Sequence, residues 1–238
     1  MNIMITLSLI IFIIVFLASE STNMPQKRGT AFERKTAQTI KDTFNTIAFQ
    51  NLLIPNGDFA MGIPGSVEID MVFITTKGIF CIECKSHIGD AETQITGSLT
   101  HDMWRVTGKT FDMFTNPFTQ NEQHVRYLKQ ILAIENIAVP LIYNTVILNN
   151  LFQFSYYGKL SAGKDCYLLP NDNKIILTDT RGRGFFELKR EIDKYPDIYS
   201  ADQIKMLSDL VKRYVGSKKE LKEHTLYVQA KRNNFANG

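Results

Sequence analysis

Two apolar runs joined by a short polar turn, VEIDMVFITTKGIFCIECKS at residues 67–86, restrict the fold of this chain most. The turn at residues 76–78 breaks the segment once, so the sequence predicts a hairpin of strands 67–75 and 79–85. Apolar residues occupy both faces of each strand, which is typical of strands covered on both sides. A sheet with buried central strands is therefore expected.

Three charged side chains interrupt these apolar strands. Asp70 lies in the first strand, and Glu83 and Lys85 lie in the second. Residues i and i+2 of a strand face the same way, roughly 7 Å apart, so Glu83 and Lys85 project together, and strand pairing can bring Asp70 alongside them. Burying charges without partners costs several kcal/mol each, so a compensating arrangement is required.

Two arrangements would satisfy these charges. Asp70 and Glu83 can hold a divalent cation such as Mg²⁺, which prefers hard oxygen ligands, while Lys85 orients a bound water or stabilises charge developing on phosphorus. The alternative is a structural one, either a buried Lys–carboxylate pair or an edge pair facing solvent. The spacing alone does not choose between them.

Helices and strands alternate along the rest of the chain, which predicts a layered α/β domain. Residues 55–66 contain three glycines and two prolines and are expected to form a loop or turn. Residues 216–238 are polar and basic and are expected to be a loosely held tail. The helices are predicted at residues 30–47, 117–134, 185–195 and 201–215, and further strands at 51–54, 94–96, 103–106, 145–148 and 174–178.

The amino terminus has the character of a membrane segment. Residues 2–18 carry no charge, and a run of this length just suffices to cross the bilayer core. We expect a transmembrane anchor at residues 1–20 and a linker at residues 21–28. No basic residue precedes Lys27, which argues against a cleaved signal peptide; a buried core helix is a weaker alternative, because few soluble helices are apolar on every face.

Charge and cysteine content indicate where the chain resides. Basic residues follow the anchor, so the positive-inside rule predicts a single-pass membrane protein with the bulk of the chain in the cytoplasm. Three cysteines are too few for a disulfide framework and fit a reducing compartment. The net charge of +3 resides in residues 216–238, which leaves residues 1–215 formally neutral, so charge alone does not indicate a nucleic-acid binder.

Other candidate ligands are weaker. Cys81, Cys84 and His87 mimic part of a zinc site, but residues 81 and 84 of a strand face opposite sides, so buried thiols are expected instead. His101, His124 and His224 have no apparent nucleophilic partner and are expected to be surface or structurally satisfied histidines.

A longer pattern identifies a family resemblance. The segment GSVEIDMVFITTKGIFCIECKSHIG, followed by Trp104 and NPFTQNEQHVRYLKQIL, is similar to the NERD (nuclease-related domain) family. That family resembles the PD-(D/E)XK nucleases and restriction endonucleases. The resemblance covers about residues 29–135. It implies a restriction-endonuclease-like fold, with a mixed central sheet flanked by helices, in a domain extending over residues 29–215.

The resemblance also implies roles for individual residues. Asp70 and Glu83 would be metal ligands, with the backbone carbonyl of Cys84 as a further ligand, and Lys85 would be the catalytic lysine. The expected cofactor is Mg²⁺ or Mn²⁺.

Two helical residues match the outer part of such a site. Glu33, within GTAFERKTA, matches the acidic residue that often completes it. The family often begins this helix with a Gly-Glu pair, whereas Gly29-Thr30 stands here, so Glu33 is the acidic candidate that remains. Gln120 matches a helix-borne polar residue of the catalytic set in related nucleases; capping or surface exposure is its structural alternative.

These observations leave two functional hypotheses. The first is a membrane-anchored nuclease that hydrolyses phosphodiester bonds with a bound metal, with DNA preferred over RNA as its substrate. The second is a catalytically inactive, nuclease-like module that binds nucleic acid or a protein partner at the membrane. The neutral charge of residues 1–215 favours the second hypothesis, whereas the intact set of Asp70, Glu83 and Lys85 favours the first.

Overall fold

The computed structural model describes residues 31–86, 94–108, 111–137, 141–149, 153–156, 166–168, 173–178 and 183–236. The predicted anchor at residues 1–20 lies outside these ranges. Across the described ranges, no helix combines the length and apolarity needed to cross a membrane. The described elements form a mixed α/β structure with two sheets and five helices.

The elements follow one another as α1 (residues 31–44), β1 (Ala48–Ala60), β2 (Ile63–Thr75), β3 (Gly78–Lys85), β4 (Gln94–Gly97), β5 (Met103–Thr107), β6 (Asp112–Thr115), α2 (Pro117–Ile134), β7 (Ile142–Asn149), β8 (Gln153–Tyr156), β9 (Cys166–Leu168), β10 (Asn173–Thr178), α3 (Arg183–Ile192), α4 (Ala201–Lys212) and α5 (Lys218–Ala236). Most predicted helices and strands fall within these elements, with ends displaced by a few residues.

The larger sheet is mixed, with the strand order β1-β2-β3-β7-β10-β9. Strands β1, β2 and β3 form an antiparallel meander, β3 and β7 run parallel, as do β7 and β10, and β9 is antiparallel to β10. The smaller sheet has the order β6-β5-β4-β8. The predicted mixed sheet flanked by helices is confirmed.

Apolar cores lie on both faces of the larger sheet. On one face, Val72 and Cys81 belong to the same core as Leu128 of α2 and Leu210 of α4. On the other face, the rings of Phe73 and Phe80 stack with centroids 4.4 Å apart, in a core that also contains Ile40 of α1 and Phe185 of α3. These two cores explain why β2 and β3 are apolar on both sides.

The predicted loop at residues 55–66 is instead the outer part of a long β1–β2 hairpin. Met61 and Gly62 have left-handed φ angles of 51° and 77° and form its two-residue turn. Gly57, with φ of 78°, lies within the register shift between Pro55 and Phe59. Glycine and proline therefore mark a turn and a bulge in this segment, and the strands continue through them.

The predicted loose tail is also wrong for residues 218–236, which form helix α5. Ser217 and Glu220 begin the helix with a reciprocal capping box, in which each backbone N–H donates to the other residue's side-chain oxygen, at 2.8 and 3.3 Å. Tyr227 and Ala230 are buried against Ala60 of the hairpin. A mostly polar helix is thus held in place by a short apolar stripe.

Residues 214–216, between α4 and α5, lie along the outer edge of β1. The Leu53 N–H donates to the Tyr214 carbonyl at 2.8 Å, and the Gly216 N–H donates to the Asn51 carbonyl at 2.9 Å. These bonds satisfy main-chain groups in the middle of an edge strand.

Candidate active site

The candidate site lies where β2 and β3 separate. The paired register of the two strands runs from Thr75 opposite Gly78 to Met71 opposite Ile82. Just beyond this point, Oδ2 of Asp70 accepts a hydrogen bond of 2.7 Å from the Cys84 backbone N–H. The Asp70 side chain therefore bridges the two strands as they diverge.

Lys85 connects β3 to α2 at this position. Its Nζ lies 2.6 Å from Oε1 of Glu83 and donates to Oε1 of Gln120 at 2.9 Å. Glu83 and Lys85 project together, as alternation along a strand requires, and the structure brings Gln120 beside them. The ammonium is thus held between a buried carboxylate and a helix-borne amide.

Glu83 has one oxygen in this ion pair and one outside it. Its side chain is 2% exposed, and within the described residues its Oε2 has no hydrogen-bond partner. Burial, followed by the charge of Asp70, raises the pKa of Glu83 to about 8, with Lys85 acting in the opposite direction. A buried carboxylate with an unpartnered oxygen and a raised pKa favours a bound proton or cation.

His124 of α2 lies behind Glu83. Its Nδ1 is 3.5 Å from Oε2 of Glu83, which exceeds the ordinary length of a hydrogen bond. Burial, followed by the charge of Lys85, lowers the pKa of His124 to about 4. The imidazole is therefore neutral near pH 7 and does not neutralise Glu83.

Two further carboxylates crowd the same region, Glu33 from α1 and Glu68 from β2. Burial, followed by the charges of Asp70 and Glu68, raises the pKa of Glu33 to about 7. Burial also raises the pKa values of Glu68 and Asp70. Each of these groups therefore resists ionisation in the folded protein, mainly because burial disfavours the charged form, and the nearby carboxylates add to this effect for Glu33 and Glu68.

Among the described residues, no three His, Cys, Asp or Glu side chains converge closely enough to form a metal-binding group. The Cys84 side chain packs against the core that contains Phe80, whereas Cys81 belongs to the core beneath α2. The prediction that these two cysteines face opposite sides of the sheet is confirmed. His87 lies outside the described residues, and the role of the Cys84 carbonyl as a ligand stays a prediction.

The motif at the start of α2 explains how Gln120 is positioned. Asn116 caps the helix by accepting a hydrogen bond of 2.9 Å from the Phe118 N–H, and its Nδ2 donates to the carbonyls of Ser98, Leu99 and His101. This side chain therefore ties the amino end of α2 to the segment between β4 and β5.

Asn121 ties the same helix to the larger sheet. Its Nδ2 donates to the Cys81 carbonyl and to Oδ1 of Asn144 at 2.8 Å each, and its Oδ1 accepts from the Cys81 thiol at 3.3 Å. Gln120 lies between these two anchoring asparagines in sequence. The motif NP-x-x-Q-N thus contains two residues that place the helix and one that contacts Lys85.

Glu68 and His124 lie beside the candidate site, and this was not predicted from the sequence. Glu68 is two residues before Asp70 on β2, and His124 is one helical turn after Gln120, so the periods of strand and helix could have indicated both. Glu68 also lies near α5, where Nε2 of His224 is 3.5 Å from Oε2 of Glu68. His224 Nδ1 is in turn hydrogen-bonded to Oγ of Ser66 at 2.8 Å.

Comparison with known proteins identifies a family through the part of the chain that contains the candidate site. A family model described as nuclease-related domain matches residues 28–149, just over half of the chain, and this span contains Glu33, Asp70, Glu83, Lys85 and Gln120. No curated protein and no solved structure matches the chain. The chain therefore belongs to the nuclease-related domain family.

Proposed function

We propose that this chain is a membrane-anchored nuclease that hydrolyses phosphodiester bonds in nucleic acid, DNA in preference to RNA, with a bound Mg²⁺ or Mn²⁺. The observation that carries this proposal is the meeting of Asp70, Glu83 and Lys85 where β2 and β3 separate. A partly buried cluster of charges on strands that are mostly apolar is costly, so a purely structural role gives little reason to keep it.

A restriction-endonuclease-like arrangement of the larger sheet forms part of the proposal. The antiparallel meander β1–β2–β3 is followed by a parallel strand, β7, on the other side of β3, and α2 packs across β3 and β7. This order places the carboxylates of two strands and the amide of one helix at a common point.

The donor atoms suit a hard divalent cation. Mg²⁺ is usually held by one or two carboxylates, with water and substrate phosphates completing its coordination. Asp70 and Glu83 would be these ligands, with the Cys84 carbonyl and Glu33 as further candidates, and the unpartnered Oε2 of Glu83 is an available donor. When bound, the cation supplies Lewis-acid polarisation of the phosphodiester and lowers the pKa of a bound water.

The residues of this chain would perform the remaining steps. Lys85 places a positive charge beside the carboxylates, where it stabilises negative charge developing on phosphorus. Gln120 holds the ammonium through its 2.9 Å hydrogen bond. Asp70 keeps β2 and β3 in register through the Cys84 N–H, so the carboxylates stay at a fixed separation.

Membrane anchoring is proposed from the uncharged segment at residues 2–18 and the basic residues that follow it. The proposal places the catalytic domain on the cytoplasmic side. A reporter fused to the carboxyl terminus should be read out in the cytoplasm, and an extracellular signal would contradict this orientation.

The activity is tested with the full chain in detergent micelles, using plasmid, linear duplex DNA, single-stranded DNA and RNA. We expect cleavage with Mg²⁺ or Mn²⁺, none with EDTA, and none for Lys85→Ala. Lys129→Ala changes an exposed lysine on α2 and should cleave like the wild type, which makes it the matched control.

Magnesium binding is measured separately, as the shift in melting temperature on adding Mg²⁺, because a ligand that binds the folded state stabilises it. If no substrate is cut and Mg²⁺ leaves the melting temperature unchanged, the proposed hydrolysis is wrong. The chain would then be a nuclease-like module without turnover.

A further inference from the structure

The outer part of the β1–β2 hairpin, residues 55–66, forms a projection that we call the ribbon arm. Near its tip, Phe59 is 70% exposed and Met61 is 78% exposed. Single exposed apolar residues are ordinary on protein surfaces. Two large ones within three residues of a hairpin turn form a concentrated apolar tip, which is typical of an interaction site.

Helix α5 braces the ribbon arm along its length. Oη of Tyr227 accepts a hydrogen bond from Nδ2 of Asn56 and donates to Oδ2 of Asp58, at 3.3 Å each. Lys231 reaches the same Asp58 oxygen at 3.0 Å. These contacts hold the tip before any partner binds, which lowers the ordering cost of an encounter.

Close packing adds to this bracing. A Cβ atom on Gly65 would lie 2.8 Å from the Tyr227 ring, so the arm and the helix approach as closely as glycine allows. Near the base of the arm, Ser66 is hydrogen-bonded to His224 of α5. The arm is therefore secured both near its tip and near its base.

The bracing helix is basic on its exposed surface. It carries five basic residues and two acidic ones, and the exposed basic set is Lys218, Lys219, Lys222, Lys231 and Arg232. A protein that binds duplex DNA through a bent base step needs positive charge to contact the phosphates and an apolar side chain to insert at the step. The basic surface of α5 and the apolar tip of the arm beside it supply these two features.

The position of the arm favours nucleic acid over an anionic membrane surface. Strand β2 runs without interruption from the arm to Asp70, and Pro64, which pairs with Phe59, precedes Asp70 by six residues. This separation is about 20 Å along an extended strand. At roughly 3.4 Å per nucleotide, it corresponds to about six base steps from the candidate site.

We propose that the ribbon arm and α5 form a duplex-binding surface. The exposed Lys222 and Arg232 of α5 contact the phosphate backbone, and Phe59 and Met61 contact a base step about six nucleotides from the bond at Asp70. This inference rests on the proposed function, because it assumes that the substrate passes over Asp70.

The test measures DNA binding by fluorescence anisotropy, with the full chain in detergent micelles and EDTA present, so that no cleavage occurs. Labelled duplexes of about 10 and about 30 base pairs are compared, because the longer one covers the site and the arm in most registers, whereas the shorter one covers the roughly six base steps between them in only a few. The test variant is Phe59→Ser/Met61→Ser, and the matched control is Phe186→Ser, an exposed phenylalanine of α3.

We expect the double variant to lose on the order of tenfold in affinity for the longer duplex, with a smaller loss for the shorter one. Lys222→Ala/Arg232→Ala should weaken binding of the longer duplex and reduce its salt dependence. Phe186→Ser should bind both duplexes like the wild type. Circular dichroism confirms that each variant is folded.

The inference is overturned if the folded double variant binds the longer duplex as tightly as the wild type. It is also overturned if a fluorophore attached at Met61→Cys changes its emission when the chain is moved from micelles into phosphatidylglycerol nanodiscs but not when the longer duplex is added, because the arm would then be a membrane contact. If the wild type cleaves DNA with Mg²⁺ and the arm variants bind DNA as tightly as the wild type, the proposed role of the arm is rejected and the proposed hydrolysis is kept. If the wild type binds the longer duplex more tightly than the shorter one but cuts no substrate, the proposed hydrolysis is rejected and the proposed duplex-binding surface is kept.

Discussion

The Asp70 carboxylate accepts a 2.7 Å hydrogen bond from the Cys84 backbone N–H, so a side chain of β2 holds β3 at the point where the two strands separate. The same carboxylate contributes to the raised pKa values of Glu33, Glu68 and Glu83. The Asp70 side chain therefore makes a hydrogen bond that joins two strands and also carries a charge that repels its neighbours. Different substitutions at this position can remove the charge alone or both the charge and the hydrogen bond.

Asp70→Asn removes the charge and keeps an oxygen that can accept the Cys84 N–H, whereas Asp70→Ala removes both. We expect both variants to lose cleavage. We expect Asp70→Ala to be less stable than Asp70→Asn by about 1–3 kcal/mol, because a partly buried N–H is left unpaired. Urea unfolding near neutral pH measures the difference, and equal stability of the two variants would show that the hydrogen bond contributes little.

Glu33 should make the folded state less stable as the pH rises. Its pKa increases from 4.5 to about 7 on folding, mainly through burial. A carboxyl that binds its proton more tightly when folded favours folding below its unfolded pKa, and this contribution is lost as the pH rises through the folded value. Glu33→Gln should therefore gain in melting temperature relative to the wild type between about pH 5 and about pH 8.

The control for Glu33 is Glu122→Gln, which changes an exposed carboxylate on α2. Its melting temperature should follow that of the wild type across the same pH series. Parallel curves for wild type and Glu33→Gln would mean that Glu33 titrates in the folded protein as it does in the unfolded chain.

Gln120→Ala should reduce cleavage without unfolding the protein. The variant loses the 2.9 Å hydrogen bond to the Lys85 ammonium, while the 2.6 Å contact between Lys85 and Glu83 can persist. Hydrogen bonds to charged groups are worth about 1.5–3 kcal/mol, so we expect a decrease in kcat on the order of tenfold or more. The control is Gln123→Ala, which shortens an exposed glutamine on the same helix. Equal kcat values for the two variants would exclude a positioning role for Gln120.

Asn121→Ala should affect stability strongly. The fully buried amide donates to the Cys81 carbonyl and to Asn144, and its removal leaves these acceptors without that donor and creates a cavity. A loss of about 2–4 kcal/mol in the free energy of unfolding is expected. Glu122→Ala, on the exposed side of the same helix, should change stability by less than about 0.5 kcal/mol in the same urea titration.

The central hairpin and the residues at its end were predictable because they depend on local periodicity. Alternation along β3 places Glu83 and Lys85 together, and the turn after Thr75 sets the register that brings Asp70 opposite the end of β3. Gln120 was identified through family resemblance alone, since no local rule places a particular helix residue over a particular strand.

The outer hairpin and α5 were mispredicted for reasons that are also physical. Glycine and proline usually end regular structure, but Gly57 and Gly62 adopt the left-handed angles that a bulge and a turn need within a hairpin. α5 buries Tyr227 and Ala230 against Ala60, a contact between residues far apart in sequence. Composition therefore indicated a solvated tail, because the partner that orders the helix is more than 150 residues away.

Residues 214–216 cover part of the open edge of β1 by hydrogen-bonding to its main chain. An open edge strand offers unpaired main-chain groups to other molecules and is a common starting point for aggregation. Tyr214 and Gly216 occupy the groups of Leu53 and Asn51 on that edge. A shortened chain ending at α4 would uncover these groups, so we expect it to aggregate more readily than a chain that keeps residues 214–216, which lie beyond the family-matched residues.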